Sequence, residues 1–289
     1  MSLLKTFLAL TFAIATSALA ESQTAIRVMS FNIRNSGAKD GENHWQHRKD
    51  LYVKTIKDFD PDLLGTQEVL ADQFDTLGQV LPEYGVVGVA RDDGKREGEW
   101  SAILYRKSRF QAVDSGTFWL SETPDEVGSR AWKAACVRIC SWARLRETAS
   151  GREFLYANTH YDHESKLARE ESSKLLRTRL PELAKGAPVI LSGDFNCIED
   201  DAPYRALVGP SDGKSVALVD SYRAVHPERK PDEASFNGFK GTVTGSRIDW
   251  ILHSPEFKAT AAEIVRPKSG RLPSDHYAVT AVIQLSDAN

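Results

Sequence analysis

Two spacings of apolar residues recur along the chain, and together they predict strands that alternate with helices. Residues 25–33 alternate apolar with polar positions, which predicts a strand ending at Asn32. Residues 48–59 instead place Ile56 and Phe59 on one face at helical spacing. By the same criteria, further strands are predicted at 63–65, 84–89, 101–105, 135–146, 153–159, 188–191, 247–253 and 277–285, and a second helix at 165–185.

The order of these elements predicts the fold class. Mixed strands with helices inserted between them are typical of stacked sheets covered by helices. We therefore expect an α/β fold, a four-layer sandwich of two packed mixed β-sheets flanked by helices. No internal repeat and no linker rich in Pro, Gly or Ser divides the sequence, so residues 21–289 are predicted to form one domain.

The first twenty residues have a different composition. Lys5 supplies a weak positive charge, residues 7–15 are apolar, and Ala18 and Ala20 give the small-x-small pattern that signal peptidases accept. A transmembrane anchor would need about 20 apolar residues, and this stretch is shorter. Residues 1–20 are thus predicted to be a cleaved signal peptide. We expect an exported, periplasmic or secreted protein without a transmembrane segment in the mature chain.

The three cysteines favour free thiols over disulfides. Cys136 and Cys140 fall on one predicted strand, where four residues separate their Cα atoms by about 13 Å, too far for a bridge. A bridge to Cys197 stays open as the alternative. We expect three buried, unpaired cysteines.

Acids, amides and histidines that could bind a metal or catalyse a reaction stand at the ends of the predicted strands, where a packed scaffold can hold them over a cleft. Each has an ordinary structural explanation, such as an Asx turn, a helix cap or a buried ion pair. Six such sites in one chain are harder to explain in that way. The residues are Asn32, Glu68, His160, Asp194, Asn196, Asp249, Asp275 and His276.

The ordered set of short motifs carrying these residues resembles the endonuclease/exonuclease/phosphatase superfamily, which has the deoxyribonuclease I-like fold. The motifs are SFNI at 30–33, TQE at 66–68, NTH at 158–160, GDFN at 193–196, RIDW at 247–250 and SDH at 274–276. Residues 91–95, 116–121 and 158–163 resemble an exported or uncharacterised bacterial branch. Residues 158–163 are also similar to the poly(A) deadenylase-like branch.

This resemblance implies a metal-dependent hydrolysis of phosphate esters. It makes Glu68 a direct metal ligand, with Asn32 and Asp275 beside it. Oxygen ligands suit hard ions, so Mg²⁺ is expected, with Mn²⁺ as a possible substitute. The metal would offset the negative charge that repels an attacking hydroxide.

The resemblance also assigns roles to the other residues. Asp249 would orient His276 and raise the pKa of its ring. His276 would be either the general base for the attacking water or an electrophile on the phosphate. Asp194 would orient or deprotonate that water, and the sequence leaves the choice of base open. Asn196 would donate to a phosphate oxygen, His160 would contact another oxygen or protonate the leaving group, and Arg130 would grip the phosphate.

Charge narrows the choice of substrate. The formal net charge is −3, so the chain lacks the basic surface of a strong nucleic-acid binder. We expect a phosphate-ester substrate; nucleic acid is possible but not favoured, and the oligomeric state is not predicted. The alternatives are a secreted DNA or RNA nuclease and a catalytically silent binding protein on the same fold. A lipid hydrolase ranks lower, because no exposed apolar hairpin is evident.

Two charged segments have ordinary alternatives. Asp162 and His163 either line the pocket or form a solvated turn before the second helix. The run from Arg91 to Glu99 is predicted to be a solvent-exposed hairpin loop.

Overall fold

The computed structural model describes residues 25–267 and 270–286, and the predicted signal peptide at 1–20 lies outside them. The strands are β1 (Ala25–Asn32), β2 (Leu63–Gln67), β3 (Tyr84–Val87), β4 (Ile103–Arg106), β5 (Phe110–Trp119), β6 (Ile139–Glu147), β7 (Glu153–His160), β8 (Val189–Asp194), β9 (Val219–Asp220), β10 (Asp249–His253), β11 (Phe257–Val265) and β12 (Ala278–Leu285). The α-helices are α1 (Trp45–Phe59), α2 (Ala71–Val80), α3 (Lys166–Ala184), α4 (Ala202–Leu207) and α5 (Ser221–Val225). A short 3₁₀ helix, Gly41–Asn43, precedes α1.

The strands form two six-stranded sheets. The first has the order β11-β12-β1-β2-β4-β3 and the second the order β5-β6-β7-β8-β10-β9. Within each sheet one central pair is parallel, β1 with β2 and β7 with β8, while the other pairs are antiparallel. Both sheets are therefore mixed, as the sequence predicts.

Alternation along the strands builds three buried layers of side chains. In β1, Val28 packs between the two sheets, whereas Met29 on the other face packs with Tyr52 and Ile56 of α1. On the far side of the second sheet, Leu191 packs with the buried face of α3. Helices thus cover both outer faces of the sheet pair, and the predicted four-layer α/β sandwich is confirmed.

The two sheets approach each other very closely at Gly65. A Cβ atom at this position would lie 2.3 Å from Ser192 Oγ and 2.4 Å from Asn158 Oδ1. Asn158 itself donates across the interface to the carbonyl oxygens of Thr66 and Ala102, at 2.9 and 3.1 Å. Only glycine leaves room for this contact, which holds the two sheets together near the C-terminal end of β2.

The helices begin and end with local capping. Ser165 Oγ accepts a hydrogen bond from the Ala168 N–H at the start of α3, and Lys185 ends that helix in a left-handed conformation. Asp60 ends α1 in the same way, with a φ of 53°. Within residues 25–267 and 270–286, no helix has both the length and the apolarity that crossing a bilayer requires.

The cysteine region differs from expectation. The strand predicted at 135–146 begins only at Ile139, because the Cys136 N–H donates to Asp162 Oδ2 instead of to a neighbouring strand. All three cysteines are free thiols, so the alternative of a bridge to Cys197 is wrong. Cys140 and Cys197 are buried as predicted, whereas Cys136 is half-buried.

Three strands that the sequence did not predict, β5, β9 and β11, lie at sheet edges. An edge strand tolerates polar residues and bulges because one of its sides faces solvent. A bulge falls between Ala112 and Asp114 in β5, and another between Ala259 and Ala261 in β11. These irregularities interrupt the alternation on which the strand predictions rely.

A buried ion cluster fixes the entry to β10. The Arg247 side chain is completely buried, and it donates to both Glu199 and Asp220. Arg223 also pairs with Glu199, at 2.8 Å. A cation buried with these partners holds the backbone that leads into Asp249.

We predict that Arg247→Met lowers the free energy of unfolding by ~3–5 kcal/mol, since it leaves buried carboxylates without their cation. Arg229→Met is the matched control, because Arg229 also pairs with Glu199 but its side chain is 52% exposed. It should cost less than about 1 kcal/mol. Urea unfolding followed by circular dichroism measures both, and equal losses would contradict this account of the cluster.

Candidate active site

The topology of the two sheets brings the predicted site residues to one edge. Parallel neighbours end at the same edge of a sheet, and antiparallel neighbours begin there. Asn32 ends β1, Glu68 follows β2, and His160 and Asp194 end β7 and β8. Asp249 begins β10 directly opposite Asp194. Asp275 and His276 stand just before β12, which runs antiparallel to β1.

These residues border a cleft of about 510 Å³. Of the predicted set, the cleft is lined by Glu68, His160, Asp194, Asn196, Asp275 and His276. Asn32 and Asp249 are buried directly behind them.

Three residues next to the cleft adopt left-handed backbone conformations that side chains normally avoid. Arg34, Glu68 and Asn196 have φ values of 56°, 61° and 48°. Each follows one of the central strands β1, β2 and β8, so the chain turns sharply where the sheet ends. Such strain concentrates at functional sites, where the surrounding structure holds it in place.

Asn32 links the two sheets at the floor of the cleft. Its Nδ2 donates to Glu68 Oε1 at 3.1 Å and to Asp194 Oδ2 at 3.0 Å, while its Oδ1 accepts from the Arg34 N–H at 2.8 Å. Asn35 also donates to Glu68 Oε2 through its backbone and side chain. Asn32 therefore presents its amide nitrogen to Glu68. Its role as a metal ligand stays a prediction.

His276 lies between two carboxylates. Its Nδ1 is 2.9 Å from Asp249 Oδ2, and its Nε2 is 3.6 Å from Asp194 Oδ2. Burial alone would lower the pKa of His276, but Asp249 and Asp194 outweigh it and raise the pKa well above the ordinary value. These carboxylates favour the imidazolium form of His276, whose Nε2 side faces the cleft.

The environment of Asp194 disfavours its charged form, whereas that of His276 favours the charged form. Burial and the nearby Asp249 charge raise the pKa of its carboxyl to about 7, although His276 and the hydrogen bond from Asn32 act in the other direction. A carboxylate with a pKa near neutrality is suited to accept a proton.

His160 and Asn196 form a second pair. Asn196 Nδ2 lies 3.0 Å from both His160 Nε2 and the Tyr161 carbonyl oxygen. Burial, together with the charges of Arg138 and Arg91, lowers the pKa of His160 well below its ordinary value. A neutral His160 accepts from Asn196 at Nε2, so in this arrangement it orients the amide of Asn196.

Arg130 is not brought to the cleft. Its side chain is exposed, and Nη1 donates to the Ala135 carbonyl oxygen at 3.1 Å. The predicted phosphate contact by Arg130 is therefore not supported by its position.

Sequence reasoning missed a group of charged residues that line the cleft: Arg34, Arg91, Glu99 and Arg138. The run predicted to be a solvent-exposed loop in fact directs both of its ends, Arg91 and Glu99, into the cleft. Each alternative holds in part for the segment after His160: His163 lines the cleft, whereas Asp162 forms a turn through Glu164 and Ser165 with its side chain buried instead of solvated.

Comparison with known proteins agrees with this arrangement. A profile of the Endonuclease/Exonuclease/phosphatase family matches residues 29–276. The chain belongs to this family. The resemblance seen in the sequence is thereby confirmed, and the family comprises phosphoesterases and nucleases.

Solved structures of the family are similar over nearly the whole chain. An endonuclease/exonuclease/phosphatase from Bacteroides vulgatus is 36% identical, with a TM-score of 0.85, covering 91% of this chain and 100% of that one. A mannosyl-6-phosphatase from Bacteroides thetaiotaomicron is 38% identical, with a TM-score of 0.81, covering 89% and 99%. Rat nocturnin is 26% identical over 89% of this chain, which spans 64% of the nocturnin sequence.

The site also fits the divalent metal that is typical of the endonuclease/exonuclease/phosphatase family. Glu68, His160 and Asp194 place ligand atoms within 4.8 Å of one another. Burial raises the pKa of Asp275, as it does that of Asp194, so a bound cation would stabilise the charged forms of both carboxyls. Glu68 and Asp275, with Asp194 close by, would hold a hard cation such as Mg²⁺.

We predict that Mg²⁺ raises the thermal unfolding midpoint of the wild-type protein by several degrees, and that Glu68→Gln abolishes this rise. A ligand at 100 times its dissociation constant stabilises a folded protein by about 2.7 kcal/mol. Glu164→Gln is the control, because its side chain is 71% exposed just outside the cleft. Equal stabilisation of both variants by Mg²⁺ would refute the assignment of Glu68.

In the metal-free protein, the free energy of unfolding of Asp194→Asn should increase relative to that of the wild type as pH rises. A carboxyl whose folded pKa is raised stabilises the fold at low pH, and this contribution is lost as pH passes the folded pKa of about 7. Relative to wild type, the variant should gain about 2 kcal/mol between pH 5 and pH 8. Urea unfolding in the presence of chelator measures the difference, and a pH-independent offset would contradict the raised pKa.

Proposed function

We propose that the chain is a divalent-metal-dependent phosphoesterase that hydrolyses small phosphate esters, with Mg²⁺ as its metal. The observation that carries the proposal is the position of Asp194 Oδ2. This atom lies 3.0 Å from Asn32 Nδ2, 3.5 Å from His160 Nε2 and 3.6 Å from His276 Nε2. The proposed base Asp194, the buried cation His276 and the proposed metal ligand Glu68 thus lie close together in the cleft.

The reaction needs a water molecule activated in line with the ester bond. The water oxygen forms a bond to phosphorus, the ester P–O bond breaks, and one water proton passes to the base. The leaving oxygen takes up a proton, so that an alcohol and phosphate (or a phosphomonoester, from a diester) are released. Asp194 is the better base, because its pKa of about 7 lets it accept a proton near neutral pH.

His276 serves as an electrophile in this proposal. Asp249 holds it protonated, so its Nε2–H carries positive charge toward the oxygens on which negative charge accumulates. The metal, held by Glu68 and Asp275, would supply Lewis-acid stabilisation of the same charge. Asn196 would complete the site once its amide hydrogens turn from His160 and Tyr161 to the substrate.

A sugar phosphate is the substrate class that the observations favour. A cleft of about 510 Å³ suits a small ligand, and the formal net charge of −3 disfavours a polynucleotide. The Bacteroides thetaiotaomicron mannosyl-6-phosphatase, 38% identical to this chain, supports the same choice. Preference for DNA over small phosphate esters would instead identify a nuclease.

The test assays purified protein stripped of metal on a chromogenic phosphomonoester, the matching diester and a DNA duplex. We expect Mg²⁺ to restore ester hydrolysis. His276→Ala should lower turnover at least ~10²-fold, because the variant removes a positioned electrostatic group. Preferential cleavage of DNA would replace the sugar-phosphate proposal with a nuclease. Turnover that is independent of metal and of His276 would defeat the proposal as a whole.

We also propose that the protein is exported. The proposal rests on the apolar run at residues 7–15 and on the small residues Ala18 and Ala20. N-terminal sequencing of the protein from its native host should give a chain beginning at Glu21. An N-terminus at Met1 on cytoplasmic protein would disprove export.

A further inference from the structure

Arg138 is a buried cation on the wall of the cleft. It precedes β6, and its carbonyl oxygen accepts from the Leu120 N–H at 2.8 Å, which fixes the backbone. Only 5% of the residue is exposed, yet it borders the same cleft as His160 and Asp194. Both its position and its burial are therefore set by the fold.

The charge of Arg138 is offset by the buried carboxylate of Asp162, but two of its three guanidinium nitrogens make no hydrogen bond. Nη2 lies 3.0 Å from His163 Nδ1, while Nη1 and Nε are buried without a hydrogen-bond partner. The nearest carboxylate oxygen, Asp162 Oδ2, is 3.7 Å from Nε and already accepts from the Cys136 N–H. The other oxygen of Asp162 accepts from Glu164 and Ser165.

A buried guanidinium with open donors is costly unless an anion meets it. Its planar fork of N–H groups matches two oxygens of a phosphate. The neighbouring Arg91 cannot take this role fully, because its Nη1 is bound to Glu99. Arg138 is the most deeply buried of the three cleft arginines, and two of its nitrogens have no acceptor in the protein.

We propose that Arg138 binds the phosphoryl group of the substrate and selects phosphomonoesters over phosphodiesters. This inference rests on the proposed function, which it makes more specific. It also gives Arg138 the contact that the sequence had suggested for Arg130.

The selection follows from the number of free phosphate oxygens. A monoester has three non-bridging oxygens, which would meet the metal held by Glu68 and Asp275, the Nε2–H of His276 and the guanidinium of Arg138. In a diester one of these oxygens carries a second organic group. That organic group would face the buried guanidinium of Arg138. It cannot accept the hydrogen bonds of the guanidinium, which would therefore remain without an anionic partner.

The test compares Arg138→Gln with wild type on a chromogenic monoester and its diester, and titrates both proteins with inorganic phosphate by calorimetry. We expect kcat/KM for the monoester to fall at least ~30-fold, diester hydrolysis to change less than ~3-fold, and phosphate to bind at least ~10-fold more weakly. Arg146→Gln is the control, since Arg146 lies on β6, the strand that Arg138 precedes, but pairs with Glu153 at 2.7 Å, away from the cleft.

Phosphate binding by Arg138→Gln within ~3-fold of wild type would overturn the proposal, as would equal losses on both esters. If neither ester is turned over, the proposed function fails, while phosphate titration still decides whether Arg138 binds the anion. Should Arg138→Gln not fold, Arg138→Lys replaces it. This variant keeps the charge but loses the fork, so unchanged phosphate affinity would count against the proposal.

Discussion

The buried amide of Asn158 is the interaction on which the geometry of the cleft depends. It donates to Thr66 and Ala102 of the opposite sheet, and its Oδ1 accepts from Gln67 at 2.8 Å and from Ser192 at 3.0 Å. Every polar atom of this side chain is satisfied, as a fully buried amide requires. Gln67 precedes Glu68, and Ser192 lies two residues before Asp194, so the same contacts that lock the sheets also fix the distance between the reacting groups.

Around this fixed frame, charge is concentrated more than stability alone would favour. Glu68, Asp194, Asp249 and Asp275 lie at one sheet edge beside His276 and Arg34, and three nearby residues occupy strained left-handed conformations. Burial raises the pKa values of Asp194 and Asp275, so keeping these two groups charged opposes folding. A fold accepts such costs at sites where binding a cation or an anionic ligand offsets them.

The sequence predicted the buried centre of the molecule better than its periphery. Strand ends such as Asn32, His160 and Asp194 are recognisable because an apolar run leads directly into a polar group, and topology then gathers them. Edge strands β5 and β11 were missed because their outer faces are polar and their ladders contain bulges. Arg138 escaped notice for another reason: an arginine beside a strand looks the same whether it faces solvent or a cleft. Only the packed structure separates it from the exposed Arg130.

The cleft is built from two kinds of residue, those at the strand ends and those on the connecting segments, and this division has an evolutionary consequence. Groups at the strand ends cannot move without disturbing the sheet contact at Gly65, so they are constrained as a set. Residues on the cleft wall, such as Arg91, Glu99 and His163, lie on connecting segments outside the strands, which vary more readily than the strands themselves. New substrate preferences can therefore arise by drift in these segments while the reaction itself is inherited unchanged. An engineer seeking a different ester would randomise the wall and leave the strand ends alone.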